Sequence, residues 1–334
     1  MIHVVLPPET AASQQRLPFY LSMEEHLARN YDGEYFVMWQ VNPTVIYGRN
    51  QDVHAEVNLP FCLGNNIQFY RRKSGGGCVY ADRNNIMTAL ITSSTRVEET
   101  FAAYCNRMAA ALRELGLDAE ANGRNDILIG GRKVSGNAFH HLPGRSIVHG
   151  TMLYDTDAAT MQQALTPSAG KLAAKGVSSV RSHITTIREH LPGLGIEDFK
   201  EFLRRHLSDS TMALTPDDVA EIRRIEAPYY KPEWLYGTTA AERRCRRVRI
   251  EGSGEFSPEV TTDSRGIIIS VRLTGDFFPL ADIDGSLLRH LEGVPLTHAA
   301  LGSALAGIKV EEIISGLSNE QFITLLIPDN NGRD

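Results

Sequence analysis

Residues 71–82 read Arg-Arg-Lys-Ser-Gly-Gly-Gly-Cys-Val-Tyr-Ala-Asp, and this glycine-rich stretch lies between two predicted strands, at 67–70 and 86–92. Consecutive glycines cost backbone entropy, which is tolerated where the chain needs a positive φ or must approach another group closely. We expect close approach to a ligand here and not packing, because bare N–H groups beside Arg and Lys form a concavity suited to an anion. A mobile hairpin turn with solvated charges is the alternative that the glycines alone leave open.

Three later segments combine small residues with basic and polar ones. They are 124–138 (Arg-Asn-Asp-Ile-Leu-Ile-Gly-Gly-Arg-Lys-Val-Ser-Gly-Asn-Ala), 147–153 (Ile-Val-His-Gly-Thr-Met-Leu) and 171–182 (Lys-Leu-Ala-Ala-Lys-Gly-Val-Ser-Ser-Val-Arg-Ser). The first predicts a short strand at 127–129 and a turn at Gly130-Gly131, with Lys133 on that turn. The second predicts a strand that His149-Gly150 interrupts.

In this order and spacing, the four segments resemble the lipoate–protein ligase A family. The family's marks are Arg-Arg-x-Ser-Gly-Gly-Gly-x-Val-x-x-Asp, then Asn-Asp…Lys-Val-Ser-Gly-x-Ala, then His-Gly-Thr-x-Leu, then Lys-Gly-x-x-Ser-Val-Arg-Ser. Residues 46–51 (Ile-Tyr-Gly-Arg-Asn-Gln) match it as well, and the resemblance covers residues 15–250 strongly and the rest in outline.

Three positions depart from the family pattern. Cys78 stands where the family usually has Ala, Ala81 where it has His, and Val148 where it has a second His. The loop should tolerate Cys78, because Cys is nearly as small as Ala. The two missing histidines indicate that neither is indispensable for the chemistry, or that this member is altered in substrate or efficiency.

The resemblance implies a two-step ligase. Lipoate and ATP give enzyme-bound lipoyl-adenylate and pyrophosphate, and the ε-amine of a target lysine then attacks the mixed anhydride, which forms an amide and releases AMP. The acid is lipoate or octanoate, and Mg²⁺ accompanies the ATP. The implied acceptors are apo lipoyl-domain proteins, namely 2-oxoacid dehydrogenase E2 subunits and the glycine cleavage H protein.

The resemblance also assigns the site residues. Lys133 is the expected catalytic residue, since its positive charge would offset the repulsion between an attacking carboxylate and a polyanion. Arg72, Lys133 and His149 are expected to bind lipoate, and Asp126 to hold Mg²⁺. The residues expected to bind ATP or lipoyl-adenylate are Arg72, Ser74, Gly75, Gly76, Gly77, Cys78, Val79, Tyr80, Asn125, Asp126, Lys133, Ser135, Gly136, His149, Gly150, Lys175 and Arg181.

Each of these residues also has a plain structural interpretation. A single lysine in a turn is usually a solvated charge, Asn125-Asp126 is a pattern typical of a turn cap, and His149 suits a core position. Residues 171–182, with Lys175 and Arg181, are either a solvated loop or a lid that is mobile without ligand and closes over the adenylate. Adjacent His140-His141 do not share a face of a strand or helix, and we interpret them as loop residues.

Composition narrows the class of protein. The chain has 334 residues, is 42% hydrophobic, and carries a net charge of −6 with a pI near 6.0, which disfavours nucleic acid as a partner. Cys62, Cys78, Cys105 and Cys245 lie far apart, so neither a zinc site nor a disulfide framework is indicated. The sequence shows no secretion signal and no apolar run long enough to span a membrane. We therefore expect a cytoplasmic protein, acting as a monomer.

The pattern along the chain predicts two domains. A helix at 21–28 precedes strands at Tyr35–Trp39 and Thr44–Tyr47, a capping box at Thr95 opens a long helix that Gly116 ends, and Thr215 begins another helix. Residues 238–246 are polar and basic, typical of a linker. We divide the chain into a catalytic domain at 1–240 and an accessory C-terminal domain at 241–334.

Beyond the linker, strand patterns at 247–251 and 267–273 precede short helices at 287–291, 299–306 and 321–327. By resemblance, the fold class is α+β: a mixed β-sheet flanked by helices, similar to biotin ligases and class II synthetases, plus a small α+β C-terminal domain.

Other functions stay open from sequence. An octanoyl or lipoyl transferase of the same fold would use a cysteine acyl-enzyme and no ATP. Biotin ligation, and a non-catalytic lipoate-binding homologue whose accessory domain mediates association, are further alternatives. Neither Gly-x-x-x-x-Gly-Lys-Ser/Thr nor Gly-x-Gly-x-x-Gly is present, so any ATP site differs from those two phosphate-binding patterns.

The ligase and transferase hypotheses differ in their need for a thiol. Cys78 occupies a small-residue position next to the glycines, and position 81, where a base would lie, is Ala. We expect Cys78→Ala to retain ATP-dependent ligation, measured by mass spectrometry of an apo lipoyl domain. An inactive variant, together with a thioester trapped on Cys78 of the wild type without ATP, would replace the ligase hypothesis with the transferase.

Overall fold

The computed structural model describes residues 1–94, 96–122, 125–166, 183–237 and 246–327, which fall into two compact units. The N-terminal unit consists of Met1–Tyr47, Val53–Lys73 and Cys78–Gly237. The C-terminal unit contains the described residues from 246 onward together with two short loops from earlier in the chain, Gly48–Asp52 and Ser74–Gly77.

The described part of the N-terminal unit contains two sheets. Its strands are β1 (Ile2–Val5), β2 (Tyr35–Trp39), β3 (Thr44–Tyr47), β4 (Gln68–Arg71), β5 (Val79–Ala81), β6 (Asn85–Thr92), β7 (Ala119–Ala121), β8 (Asp126–Ile129), β9 (Arg132–Leu142), β10 (Arg145–Leu153) and β11 (Ser210–Ala213). The larger sheet has eight strands in the order β11-β1-β2-β6-β10-β9-β8-β7, with β1 parallel to both neighbours and the other pairs antiparallel. The smaller sheet has the order β4-β3-β5.

Helices cover both faces of the larger sheet. They are α1 (Pro8–Ala11), α2 (Leu17–Asn30), α3 (Val53–Glu56), α4 (Leu59–Gly64), α5 (Val97–Glu114), α6 (Ala158–Ala164), α7 (Ile187–His190), α8 (Ile196–Leu207), α9 (Pro216–Glu226) and α10 (Pro232–Leu235), with a 3₁₀ turn at Ala227–Tyr230. Cys105 and Met108 of α5 pack in one apolar cluster with Phe36, while Leu27 of α2 packs in a second cluster with Val37. Adjacent residues of β2 thus contribute to different clusters, as the alternation of strand side chains requires.

The C-terminal unit is a small α+β layer. It contains β12 (Val248–Ile250), β13 (Gly254–Thr262) and β14 (Ile268–Phe277), followed by α11 (Ile283–Ser286), a 3₁₀ turn at Leu288–Leu291, α12 (His298–Ala304), a 3₁₀ turn at Val310–Glu312 and α13 (Asn319–Leu326). The three strands are antiparallel in the order β12-β13-β14. Phe256 and Phe277, both fully buried, stack in its core with ring centroids 4.8 Å apart.

The structure confirms the predicted fold class of a mixed sheet flanked by helices, with a small α+β unit after it in the chain. Among the described helices, none is both long and apolar enough to cross a membrane. The predicted end of the long helix is correct, because Gly116 follows α5 with φ +81°. Its predicted cap, Thr95, lies outside the described residues, as do most of the 238–246 linker and the 171–182 segment.

Three local predictions are wrong. His140-His141 belong to β9, not to a loop, because the hairpin with β10 continues as far as Leu142. Lys133 is the second residue of β9, and the turn before it is confined to Gly130-Gly131, both with positive φ. His149-Gly150 do not interrupt a strand, since β10 pairs continuously with β6 and β9 through both.

The start of α9 is joined to α2 by one carboxylate. Asp218 completes a capping box with Thr215, and its Oδ1 accepts hydrogen bonds from His26 Nε2 and Tyr31 Oη, each at 2.8 Å. Burial alone would raise the pKa of Asp218, but the hydrogen bonds it accepts, above all those from Thr215, outweigh burial and lower it to about 2. The carboxylate therefore stabilises the folded state only while it is ionised.

This pKa predicts a pH-dependent contribution to stability. The ordinary pKa is 3.8, so the contribution is present above that value and is lost as the pH falls toward about 2. We expect the difference in free energy of unfolding between wild type and Asp218→Asn to shrink between about pH 5 and pH 2, measured by urea denaturation. Asp217→Asn is the control, because Asp217 is the preceding residue and is exposed. An equal difference at every pH would contradict the prediction.

Candidate active site

An ion pair between two neighbouring strands lies at the centre of the candidate site. Asp126 begins β8 and Lys133 lies near the start of β9, so the tight Gly130-Gly131 turn brings the two strands together. Lys133 Nζ is 2.6 Å from Asp126 Oδ1, and both side chains are largely buried, at 20% and 11% exposure. A charge pair so little exposed to water is screened weakly and interacts strongly.

Gly136 makes this ion pair possible. A Cβ at that position would lie 2.5 Å from Lys133 Nζ and 3.6 Å from Asp126 Oδ1. The lysine side chain therefore lies across the bare backbone of Gly136 to reach the carboxylate. The glycine of the Lys-Val-Ser-Gly motif is explained by close approach of the lysine, not by a positive φ.

The backbone of Lys133 also anchors the chain that follows residue 182. Its carbonyl accepts a hydrogen bond from the Thr185 N–H at 2.8 Å, and Lys133 forms a parallel bridge with Ile184. Arg132 Nη1 donates to the Ile184 carbonyl at 3.3 Å, and Arg132 pairs with Glu189 at 3.0 Å. The chain just after residue 182 is thus hydrogen-bonded directly to β9, the strand that carries Lys133.

His149 lies on the same sheet with a second buried acid. Its Nδ1 is 2.7 Å from Glu24 Oε2, and Glu24 Oε1 accepts a hydrogen bond from Trp39 Nε1 at 3.1 Å. In the register of the sheet, His149 is opposite Ala138 on one side and Ala89 on the other. Two alanines beside the imidazole leave this face of the sheet with little side-chain bulk.

The three basic residues before the glycines are held within the N-terminal unit. Arg71 stacks over the Tyr47 ring at 4.9 Å and donates to the Trp234 carbonyl at 2.7 Å. Arg72 is 5% exposed, and its Nη1 donates to the Ile46 carbonyl at 3.1 Å. Lys73 pairs with the buried Glu25 at 2.5 Å. These positive charges are therefore held by specific partners, and those of Arg71 and Arg72 are buried, against the plain interpretation of the loop.

The glycines themselves pack within the C-terminal unit. Gly76 has φ +84°, and its N–H donates to the Phe277 carbonyl at 3.0 Å. A Cβ on Gly75 would lie 2.4 Å from Pro279 Cδ and 2.5 Å from Phe277 O, and one on Gly77 would lie 2.9 Å from Asp276 Oδ2. The expectation that the glycines do not serve packing is therefore wrong for Gly75 and Gly77, where the end of β14 comes too close for any side chain.

The structure brings only part of the predicted set together. Lys133, Asp126 and Gly136 form one cluster, with Asn125 adjacent in sequence, and His149 lies one strand away on β10. Ser135 and Gly150 contact Asn137, whose side chain lies beside Cys105 of α5. Ser74, Gly75, Gly76 and Gly77 belong to the C-terminal unit, Val79 and Tyr80 lie in β5 after the half-buried Cys78, and Lys175 and Arg181 lie outside the described residues.

Sequence reasoning missed three residues that support the cluster. Glu24 and Trp39 contact each other and fix His149, and Asn137 contacts Asn125 and Gly150. For Glu24 a signal was present, since the predicted helix at 21–28 carries two adjacent acids, Glu24-Glu25, in an otherwise mostly apolar run. Both are nearly fully buried.

The described residues do not form a dedicated metal centre. Among them, no three His, Cys, Asp or Glu side chains are grouped closely enough to hold an ion. Mg²⁺ usually keeps waters and binds through one or two carboxylates plus substrate phosphates. The Asp126 carboxylate fits that kind of ligand set and not an all-protein cage.

Family models match the chain in two regions. Residues 17–208 match the lipoyl protein ligase A/B catalytic domain, and residues 246–326 match the bacterial lipoate protein ligase C-terminus. The first match covers more than half of the chain, so the chain belongs to the lipoyl protein ligase A/B family. The family assignment made from the sequence motifs is confirmed.

Known proteins agree with this assignment. The lipoate-protein ligase LplJ of Bacillus subtilis is 30% identical over 319 residues, which are 92% of this chain and 95% of that protein. Among solved structures, P. falciparum LipL1 in complex with lipoate has a TM-score of 0.71 at 17% identity and covers 97% of both chains.

Two further structures each match a smaller share of this chain. A bipartite lipoate protein ligase of Thermoplasma acidophilum, studied with its E2 lipoyl domain, has a TM-score of 0.62 at 23% identity, over 72% of this chain and 97% of that one. A lipoate-protein ligase A bound with ATP has a TM-score of 0.61 at 23% identity, over 71% and 98%. These likenesses support the fold described above.

The packing of the glycine loop predicts an asymmetry between two glycines. We expect Gly75→Ala to lower the stability of the protein by about 1–3 kcal/mol, because the new methyl group overlaps Pro279 and Phe277. Urea denaturation without ligand measures this. Gly64→Ala is the matched control, since nothing lies within 4 Å of that Cβ. Equal stabilities of the two variants would show that the loop does not pack against β14.

Proposed function

We propose that the protein is an ATP-dependent lipoate–protein ligase, which activates lipoate as lipoyl-adenylate and transfers the lipoyl group to a lysine of a lipoyl-domain protein. Family membership, a relative named as a lipoate-protein ligase across nearly the whole chain, and neighbours of the same fold solved with lipoate and with ATP support this activity. The observation that carries the proposal is the buried Lys133–Asp126 pair across Gly136.

In the first step, a carboxylate oxygen of lipoate attacks the α-phosphorus of ATP, and pyrophosphate leaves with the bonding electrons. Both reactants are anionic, so their approach is repulsive unless positive charge is fixed beside them. Lys133 provides that charge, and Asp126 holds its ammonium in one place before the substrates arrive. A preorganised charge costs no reorganisation when the transition state forms.

In the second step, the neutral ε-amine of the acceptor lysine attacks the carbonyl carbon of the adenylate. The C–O bond to AMP breaks, the amine loses a proton, and the lipoyl amide remains. Lys133 would again lie beside the leaving phosphate, where it stabilises the departing AMP. We assign this residue to both half-reactions for that reason.

The apolar tail of lipoate needs a slot with little side-chain bulk. The face of the larger sheet beside His149 offers one, because Ala138 and Ala89 flank it and Trp39 lies nearby through Glu24. We assign His149, Arg72 and Lys133 to lipoate. We assign residues 171–182, which include Lys175 and Arg181, to the region that would shield the adenylate from water.

We propose that the Asp126 carboxylate would hold Mg²⁺ when ATP is bound. The ion would then supply positive charge that offsets the charge of the phosphates. The motif also assigns residues of the glycine loop and of β5 to ATP. We include those residues in the proposed ATP site.

The proposal extends to partners and organisation. We assign apo E2 lipoyl domains and the H protein as acceptors, lipoate or octanoate as the acid, the cytoplasm as the location, and a monomer as the active form. We propose a catalytic domain at 1–240 and an accessory domain at 241–334, although the C-terminal unit of the structure also contains Gly48–Asp52 and Ser74–Gly77. The E2 lipoyl domain studied with the Thermoplasma ligase supports the first of these assignments.

The cysteines favour a ligase over a cysteine transferase. Burial raises the pKa of Cys62, and burial followed by the charge of Asp126 raises that of Cys105 to about 12, so neither is a thiolate at neutral pH. Of the cysteines in the described chain, this leaves the half-buried Cys78, whose substitution by alanine tests the point.

Replacement of the lysine tests the proposal directly. We expect Lys133→Ala to lower the rate of lipoyl-adenylate formation by ~10²-fold or more while the fold persists. Mass spectrometry of lipoyl-AMP and of an apo lipoyl domain, with and without ATP, measures both half-reactions.

Lys309→Ala is the matched control, since Lys309 is an exposed residue of the C-terminal unit paired with Glu312. Adenylation by the Lys133 variant within a few-fold of wild type would remove the lysine from the mechanism. Lipoylation of the apo lipoyl domain by the wild type without ATP would contradict the proposal of an ATP-dependent ligase.

A further inference from the structure

Asn137 lies directly beneath the candidate site, on the side of β9 that faces α5. It follows Gly136, so the two neighbours lie on opposite faces of one strand. Gly136 leaves room for Lys133 on one face. On the other face, Asn137 Nδ2 is 3.7 Å from Cys105 Sγ. Asn137 is 4% exposed. A buried carboxamide must satisfy several hydrogen bonds, so its partners are informative.

Its principal partner is the residue before Asp126. Asn137 donates both its backbone N–H and its side-chain Nδ2–H to the Asn125 carbonyl, each at 2.9 Å. Asn125 Nδ2 in turn donates to the Asn137 carbonyl at 3.3 Å. The carbonyl of Asn125 is therefore held by two donors from a single residue, which fixes the peptide unit that leads into Asp126.

A second polar group holds the same peptide from the other side. Asn122 Oδ1 accepts hydrogen bonds from the N–H groups of Asn125 and Asp126, each at 3.1 Å. The entry into β8 is thus fixed by side chains on both flanks, and Asp126 has little freedom to rotate away from Lys133.

Gly150 shows that the carboxamide has a dedicated space. A Cβ at Gly150 would lie 1.8 Å from Asn137 Oδ1 and 3.0 Å from the Gly136 carbonyl oxygen. No other residue type fits there while the Asn137 side chain keeps its position. The glycine of the His-Gly-Thr motif is accordingly explained by the carboxamide beside it, and Asn125 by its bonds to Asn137.

We propose that Asn137 is a positioning residue that holds the Asn125–Asp126 peptide and, through it, sets the Asp126 carboxylate against the Lys133 ammonium, with Gly150 providing the space it needs. This inference rests on the proposed function of Lys133. Removal of the Nδ2–H donor leaves the Asn125 carbonyl with only the backbone N–H of Asn137 of these two donors. The peptide is then held less firmly, the carboxylate shifts, and the lysine loses its fixed place. A shift of about 1 Å in such a group costs up to ~100-fold in rate.

Two kinds of variant separate positioning from packing. Asn137→Asp is the same shape and replaces the donor by an oxygen that faces the Asn125 carbonyl. We expect kcat for lipoyl-adenylate formation to fall roughly 10- to 100-fold. KM for lipoate should change less than kcat, because the lipoate slot beside His149 is intact. Asn30→Ala, which removes an amide bonded to His26 at the end of α2, is the control and keeps wild-type kinetics.

The double variant Asn137→Ala/Gly150→Ala separates the space that the carboxamide fills from the hydrogen bonds that it makes. Gly150→Ala forces the carboxamide out and lowers both Tm and kcat, whereas the double variant accommodates the new methyl group and regains Tm. We expect it not to regain kcat. Recovery of both would show that Asn137 only fills space, and wild-type kcat in Asn137→Asp would overturn the proposal outright.

A measurement without turnover separates this inference from the proposed function. Acetylation of Lys133 by an amine-reactive ester, followed by mass spectrometry and scaled to Lys309, reports how firmly the lysine is held. We expect faster labelling of Lys133 in Asn137→Asp than in the wild type. If Lys133 is labelled faster in Asn137→Asp but the wild type has no ligase activity, the proposed function is wrong and the positioning role stands. If Asn137→Asp does not change the labelling of Lys133, the positioning role is wrong, whatever the activity.

Discussion

The ion pair between Lys133 and Asp126 is the interaction on which the organisation of the site depends. Two opposite charges at 2.6 Å, both mostly removed from water, are stable only if each is held firmly, since separation would leave a buried charge unpaired. The surrounding structure provides that constraint from three directions: a two-glycine turn below, the bare backbone of Gly136 beneath the lysine, and the hydrogen bonds that fix the Asn125–Asp126 peptide.

The same pair relates the fold to the chemistry. A ligase that joins a carboxylate to a phosphate needs a cation that is already in place and still able to interact with the substrates. A single carboxylate partner on a neighbouring strand meets both needs, because incoming phosphates can compete for the ammonium. The main-chain hydrogen bond from Thr185 to Lys133 links this strand to the chain that follows residue 182.

Much of the fold is predictable from local sequence, and the exceptions have physical reasons. Alternation and apolar runs located β2, β3 and most of β6, and Gly116 located the end of α5, because such signals lie within a few residues. His140-His141 were misplaced because a long hairpin extends a strand through polar residues that have no strand signal of their own. Motif spacing grouped Lys133 with Asp126. Glu24 of α2 and His149 of β10 are 125 positions apart, and only the packing of α2 on the larger sheet joins them.

The glycines near β14 show a further consequence of the fold for the evolution of this chain. Gly48–Asp52 and Ser74–Gly77 belong with the C-terminal unit: Gly275 donates to the Asn50 carbonyl at 2.7 Å, and Gly76 donates to that of Phe277. The unit is therefore not encoded by one contiguous stretch of the gene. Recombination that exchanges only the last hundred or so codons between relatives would separate β14 from two loops it was selected with. Productive exchange would need matched residues at both loops, which favours inheritance of the two units together.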